Sequence, residues 1–385
     1  MLIQSTPDPL IKIEQIGTLT DFEPAGDQPQ HERRRPFQAR SLEDCISHVA
    51  TPGGRMPVLK TMLTTACERN CNYCPFRAGR GQTRRITIKP EELAAGFDAL
   101  QRAGKVRGLF LSSGIIRGSV TTQDKIIDTA EILRRKYNYR GYLHLKIMPG
   151  IEYDQLFRLM QLANRVSVNL EGPTEERLRA LAPRKNLMNE LLQMLRWAAD
   201  IRRQHPHLKL ADTVTQFVAG AVGDTDLELL SISQPLYRKL GLKRIYYSGF
   251  SPVVQTPFEN LPATDPLREY RLYQASFLIR DYGWDIEDLF FNASGNLDLH
   301  TDPKKAWADA HLRQSPVDLM TAEREQLMRV PGIGPKTADA ILRARRHTRL
   351  TDLSQLRSLH IRSPEAMAPY ILLDGRQPAS QLRLF

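Results

Sequence analysis

Three of the chain's four cysteines lie within eight residues of one another, in TTACERNCNYCPFRAGR (residues 64–80), at the spacing C-x3-C-x2-C. Cys67, Cys71 and Cys74 are too close together, and Cys45 too solitary, to make the paired framework of a disulfide-stapled fold. Clustered thiols in a reducing cytoplasm point instead to metal. A tetrahedral zinc ion would need a fourth ligand, and the nearest upstream histidine is His48. The spacing therefore puts three thiolates in one loop, and the motif itself supplies no fourth ligand.

The composition permits such a fold. The chain has 385 residues, 41% apolar and 25% charged, enough for two or three domains with a substantial core. No run of about 18 uncharged apolar residues marks a membrane span. The N-terminal MLIQSTPDPLIKIEQIG lacks the charged start and apolar core of a secretory signal. A soluble, cytoplasmic protein is expected. The net charge of +11 is concentrated: Arg69, Arg77, Arg80, Arg84, Arg85 and Lys89 follow one another with no acidic residue between them, and HERRRPFQAR (31–40) adds a second basic run. A polyanionic partner is the natural reading, a solvated basic face the plain one.

Between residues 57 and 251 strand and helix patterns alternate. PVLKTMLT (57–64) reads as a strand, followed by the cysteine loop and a helix from Pro90. GLFLSS (108–113) is the second strand, and its helix places Ile126, Ala130, Leu133 and Tyr137 on one face. YLHLKI (142–147) precedes a helix near Glu152, and RVSVNLE (165–171) precedes one from Thr174. Strand propensity is strong from Thr213 to Val218, Thr225 and Glu228 stand at capping-box spacing, and KRIYYSGFS (243–251) closes the series. Six strand-helix units predict parallel strands with right-handed crossovers, an α/β fold with its chemistry at the C-terminal strand ends. The cysteine loop falls at that end.

CERNCNYC resembles the signature of the radical S-adenosylmethionine (radical SAM) superfamily, including the aromatic Tyr73 before the third cysteine. The resemblance implies a partial (β/α)6 TIM-like barrel in which Cys67, Cys71 and Cys74 bind three irons of a 4Fe-4S cluster. The fourth iron would chelate SAM, which accounts for the missing cysteine. Reductive cleavage of SAM then gives a 5'-deoxyadenosyl radical that abstracts hydrogen from a substrate. By the same resemblance Tyr73, Ser112, Ser113 and Gly114 (in LSSGI, which lacks the family's terminal acidic residue), Asn169 and Glu171 are expected SAM contacts. FVAGAVGDTD (217–226) would pack the adenine. A reductant such as flavodoxin or ferredoxin is implied as a partner.

EREQLMRVPGIGPKTADAILRARR (323–346) resembles a helix-hairpin-helix motif. Gly332 and Gly334 allow backbone amides at a helix N-terminus to approach a phosphate, Pro335 suits the first helical position, and Lys336, Thr337 and Arg343 complete the expected nucleic-acid contacts. Such a site reads phosphates and not bases. The plain alternative is a helix pair packed on the barrel or a partner. LTDLSQLRSLHI (350–361) looks like the continuation seen in many such domains.

Together the two modules resemble, over about residues 45–375, the family described as DNA modification or repair radical SAM proteins, whose members tend to be encoded beside a uracil-DNA-glycosylase-like protein. The expected organisation is an N-terminal extension (1–44), a radical SAM core barrel (45–255), a mixed connecting region (256–315), a small all-α helix-hairpin-helix domain (316–376) and a tail (377–385). Tyr270, Tyr273, Phe277 and Trp284 in the connecting region read as packing residues, with base stacking the alternative. The expected activity is radical chemistry on a nucleic acid, most readily DNA. RNA modification is one alternative, and a non-catalytic iron-sulfur adaptor for a glycosylase-like partner is another. With only Cys45 outside the motif there is no set of cysteines for an auxiliary cluster. Cys45 is, however, a candidate hydrogen-atom donor, in SLEDCISHVAT, a stretch able to form a short helix ahead of the first barrel strand.

Overall fold

A computed structural model describes residues 8–17, 42–51, 54–81, 83–359 and 361–378. The basic run HERRRPFQAR lies outside the described residues. The chain divides into two compact units, one of Met1–Asp224 with Leu236–Glu269, the other of Thr225–Pro235 with Tyr270–Phe385.

The first unit is built on a seven-stranded sheet whose strands follow one another in chain order: β1 (Ile46–Thr51), β2 (Gly54–Met62), β3 (Gly108–Ser112), β4 (Tyr142–Lys146), β5 (Arg165–Ser167), β6 (Asp212–Ala219) and β7 (Arg244–Gly249). β2 to β7 run parallel, the six expected strands of a curled partial TIM barrel, with register pairs such as Leu59↔Leu109, Leu109↔Leu143 and Val166↔Thr213. They are short apolar runs buried on both faces, which is how parallel strands covered by helices read in sequence. α1 (Pro9–Gly17) precedes the sheet, and α2 (Pro90–Arg102), α3 (Ser119–Arg135), α4 (Tyr153–Leu162), α5 (Glu175–Leu181) and α6 (Gln193–Gln204) make the crossovers, with a π-helical turn Leu187–Leu192 ahead of α6. Leu93, Phe97, Ile126, Ala130, Leu133, Leu156 and Leu159 seal them to the strands.

Three local expectations are corrected. Residues 46–51 are not helical: only a 3-10 turn, Leu42–Cys45, precedes β1, which pairs antiparallel with β2. RVSVNLE pairs continuously only over Arg165–Ser167; the chain rejoins the sheet at Glu171, at φ +63, which bridges Phe217 of β6. Tyr137 lies past the end of α3, and the aromatic that is buried there is Tyr139.

α7 (Asp226–Arg238) starts at the expected capping box: the Thr225 amide donates to Glu228 Oε2 (2.8 Å) and the Glu228 amide to Thr225 Oγ1 (3.1 Å). α8 (Pro266–Asp281) leads into the rest of the second unit: α9 (Pro303–His311), β8 (Val317–Asp318), α10 (Arg324–Leu327), α11 (Pro335–Ala344), α12 (Leu353–Ser358) and β9 (Ile371–Leu372), which pairs parallel with β8. Its core gathers Leu319, Leu327, Val330, Ile333, Ala338, Ile341 and Leu356. Trp284 and Tyr273 are buried here as packing residues, whereas Tyr270 is exposed. Among the described residues no helix is long and apolar enough to cross a membrane.

Candidate functional site

The cysteine loop leaves the C-terminal end of β2 and is held by main-chain bonds to both sides. Leu63 donates to Ser112 O (3.0 Å), Thr65 to Ile86 O (3.0 Å) and Glu68 to Ile115 O (2.8 Å). Gly114 packs so closely on the loop that a Cβ would stand 2.1 Å from Ala66 O, so only glycine fits. Within the loop, arginines replace secondary structure. Arg85 donates to the carbonyls of Thr65 (2.7 Å), Phe76 (2.8 Å), Arg77 (2.8 Å) and Arg80 (3.3 Å). Arg77 donates to Cys71 O (3.2 Å) and Asn70 O (3.3 Å), and Arg80 to Pro75 O (3.1 Å) and Val254 O (2.9 Å). Arg69 pairs with Glu190 at 2.8 Å. The basic run read as a field for a polyanion is thus in large part the scaffold of the loop, since an irregular segment must satisfy its carbonyls by other means than a ladder.

The three cysteines share one cavity of about 850 Å3, counting its open mouth, with Tyr73, Ser112, Ser113, Gly114, Asn169 and Glu171. All the expected barrel site residues except Cys45 are therefore brought together. Other residues join them, among them Met148 as apolar wall and Lys146, Lys185 and Gln216 as polar lining that the sequence did not single out, with Arg69 of the basic run. Lys146 and Gln216 had a legible signal, a long polar side chain toward the C-terminal end of a strand expected in the barrel. The FVAGAVGDTD loop does not line this cavity, and neither does YYSGF, whose Tyr246 and Tyr247 are buried. Cys45 is 1% exposed, with its Sγ directed at Glu14 O (3.9 Å), away from the cavity lining. His48 is exposed on β1, opposite Pro57 and so toward the N-terminal half of β2, which removes it as a zinc ligand for the cysteine loop.

The electrostatics are those of buried, mutually dependent groups. Burial pushes the Cys71 and Cys74 thiols up, Cys74 strongly, so that without a metal they hold their protons. A bound cation reverses that order. The Ile115 amide donates to Cys67 Sγ and the Phe76 amide to Cys74 Sγ, each at 3.4 Å, contacts that stabilise thiolate charge. Burial opposes the charge on Lys185, yet the Glu171 carboxylate at 2.8 Å and the neighbouring thiols raise it above the ordinary lysine range. Burial and then the Glu171 charge keep the Tyr73 phenol protonated.

The donor set fits an iron-sulfur cluster with SAM. Among the described residues no three His, Cys, Asp or Glu groups converge on a single ion, and three thiols that each take a separate iron need not. Glu171 Oε2 is buried without a hydrogen-bond partner while Oε1 accepts from Lys185, and Lys146 also lines the cavity, as suits a ligand bearing both hydroxyl or ammonium and carboxylate groups.

In the second unit α10 and α11 flank the turn Met328–Gly334. Gly332 adopts φ +87 and Gly334 caps α11, with Pro335 in the first helical turn. The Ile333 amide turns inward to Val330 O (3.1 Å), which buries Ile333 and leaves Gly332 exposed. Lys336 and Arg343 are exposed, and Thr337 half-buried, on the same helix. Arg345 is otherwise engaged, donating to Leu319 O (3.2 Å) and Ala322 O (2.7 Å), and Arg349 pairs with Asp374.

The profile of the radical SAM superfamily matches residues 61–217, and that of the helix-hairpin-helix motif residues 315–344. No curated protein matches the chain. Among solved structures it is similar to the FeFe-hydrogenase maturase HydG from Carboxydothermus hydrogenoformans (19% identity, 58% of this chain and 51% of that one, TM-score 0.44). It is likewise similar to methylornithine synthase PylB (15%, 58% and 61%, 0.45) and to coproporphyrinogen III oxidase HemN from Escherichia coli (14%, 58% and 52%, 0.36). The chain spans about half the length of the first of these.

Proposed function

From a chain that carries the domain of a radical SAM enzyme and a helix-hairpin-helix motif, we propose an enzyme that cleaves SAM reductively and acts on a nucleic acid, with DNA modification or repair as the favoured role. The observation that carries this reading is the single cavity at the C-terminal ends of parallel strands shared by Cys67, Cys71, Cys74, Ser112, Ser113, Gly114, Asn169 and Glu171. The three cysteines would hold a 4Fe-4S cluster and the remaining groups SAM. When bound, these supply one-electron cleavage of SAM and hydrogen abstraction from a substrate.

The chain's own residues contribute position and charge. Arg77, Arg80 and Arg85 fix the loop that carries the three thiols. Lys185 holds the Glu171 carboxylate, whose second oxygen is free to accept from a ligand hydroxyl or ammonium. Met62, Phe76, Ile115, Ile147 and Met148 wall the cavity with apolar surface, which keeps water from a reactive centre. In the other unit, the Gly332 and Gly334 amides with Lys336, Thr337 and Arg343 would grip phosphates without reading sequence. A reductant of the flavodoxin or ferredoxin type and a uracil-DNA-glycosylase-like protein are proposed partners.

Anaerobically reconstituted protein given dithionite and SAM should release 5'-deoxyadenosine. A cluster-loaded preparation that releases none overturns the enzymatic reading. Affinity for duplex DNA and for RNA, each measured at several salt concentrations, decides between the two substrates.

A further inference from the structure

We infer that Lys304, outside the hairpin in sequence, is a third arm of the hairpin's anion site, and that a nucleic-acid backbone phosphate enters the cavity between its ammonium, the Tyr282 hydroxyl and the amides of Gly332 and Gly334. The inference rests on the nucleic-acid reading of the hairpin and adds a ligand group that the motif does not contain.

The geometry starts from α9. Asp302 caps that helix through bonds from the Lys304 (2.9 Å) and Lys305 (3.1 Å) amides, which turns the Lys304 side chain inward. It is 8% exposed. Its Nζ donates to Ile333 O, in the middle of the hairpin turn, and stands 4.6 Å from the centre of the Tyr282 ring. Among the described residues Ile333 O is the one acceptor of this ammonium, although an ammonium carries three N–H donors. Tyr282 belongs to the same spot: a Cβ on Gly334 would come within 3.0 Å of its hydroxyl oxygen.

These groups surround one cavity of about 900 Å3, counting its open mouth, with Pro331, Gly332, Ile333 and Gly334 on one side and Gln274, Tyr282, Asp302, Lys304 and Lys305 on the other. Nothing in the cavity supplies a full counter-charge at the ammonium. Asp302 is nearest in effect, but its carboxylate is already engaged by the helix amides and by Gln274. A buried cation with donors to spare, a neutral hydroxyl and two amides at a helix N-terminus match a phosphodiester, which offers one negative charge and several acceptors.

The charge balance gives the site a distinctive behaviour. Burial lowers Lys304 to about 7, with Asp302 pulling it up and Arg329 pushing it down. Burial and the nearby Asp281 and Asp302 keep the Tyr282 phenol protonated. Lys305, also at the cavity, is held in its charged form by Asp309. In the free protein Lys304 is therefore charged below pH 7 and neutral above it. A phosphate in contact favours the ammonium, so binding above pH 7 must take up a proton, and affinity falls as pH rises.

The test is binding of a labelled duplex DNA to full-length protein between pH 6 and 8.5 at fixed salt. Wild type should lose affinity with rising pH, and at pH 7.5 calorimetry in buffers of different ionisation enthalpy should register uptake of up to one proton. Lys304→Met should weaken binding about tenfold at pH 6.5 and flatten both the pH dependence and the salt slope, the latter by about one contact. Lys304→Arg, which keeps its charge across this range, should retain affinity and lose the pH dependence. Absence of proton uptake in the wild type, or wild-type pH dependence in Lys304→Arg, overturns the inference even if Lys304→Met fails to fold. If those results come while Gly332→Val abolishes binding, the hairpin reading stands without Lys304. If Gly332→Val binds DNA normally, the hairpin reading itself fails.

Discussion

The cluster cavity and the hairpin place their chemistry in opposite parts of the residue. At the cavity, Gly114 and the amides that meet the sulfurs apart, the groups of consequence are side chains: thiols, a buried Glu171–Lys185 pair and arginine forks that hold carbonyls. At the hairpin the working groups are main-chain amides, those of Gly332 at φ +87 and of Gly334 at the N-cap of α11. The first region should accordingly fail when a side chain is removed, the second when one is added. The difference also separates two meanings of positive charge in one basic protein. Arginines beside the cysteines are structural, while Lys336 and Arg343 beside the hairpin point to solvent.

The largest expected effect tests the first half of that contrast. Cys67→Ala, Cys71→Ala or Cys74→Ala should each abolish SAM cleavage and most bound iron, beyond the ~10–100-fold that loss of a supporting group costs. Iron assay and 5'-deoxyadenosine yield check this, and full iron in any one variant breaks the assignment. Next, Lys185→Met should lower the stability of the first unit by about 3–5 kcal/mol, because Glu171 is left buried without its counter-charge. Glu171→Gln in the same chain should recover part of it, as read by denaturant unfolding. Gly332→Val comes third: a β-branched residue at φ +87 carries about 1–3 kcal/mol of strain, enough to weaken DNA binding about tenfold or more while iron content stays unchanged. Loss of iron together with binding would erase the contrast. The smallest effect is expected of Arg85→Lys, which keeps the charge but cannot reach four carbonyls. Cluster reconstitution, followed by its visible absorbance, should slow, with loop stability falling by about 1–3 kcal/mol.

Sequence made the parallel strands and the cluster ligands legible for a shared physical reason: both depend on local patterns. GLFLSS and YLHLKI are short apolar runs, and the cysteine spacing is set within one loop. β1 was hidden because ISHVAT follows SLEDC, whose polar start suggests a helix, and its strand form depends on pairing with β2. Lys185 was hidden because its partner Glu171 lies across α5, a relation that no spacing rule carries. The basic run misled for the opposite reason: composition reports a charge, and only the fold reports what the guanidinium already holds.

Strand order has a consequence for synthesis. Because β1 to β7 pair in chain order, each strand can dock on its predecessor as the chain leaves the ribosome, and every residue lining the cluster cavity lies between Met62 and Gln216. The second unit cannot close this way, since β8 at Val317 waits for β9 at Ile371. The cavity is able to form its walls while the last part of the chain is still being made, and a chain truncated before Ile371 should lose the hairpin's support first.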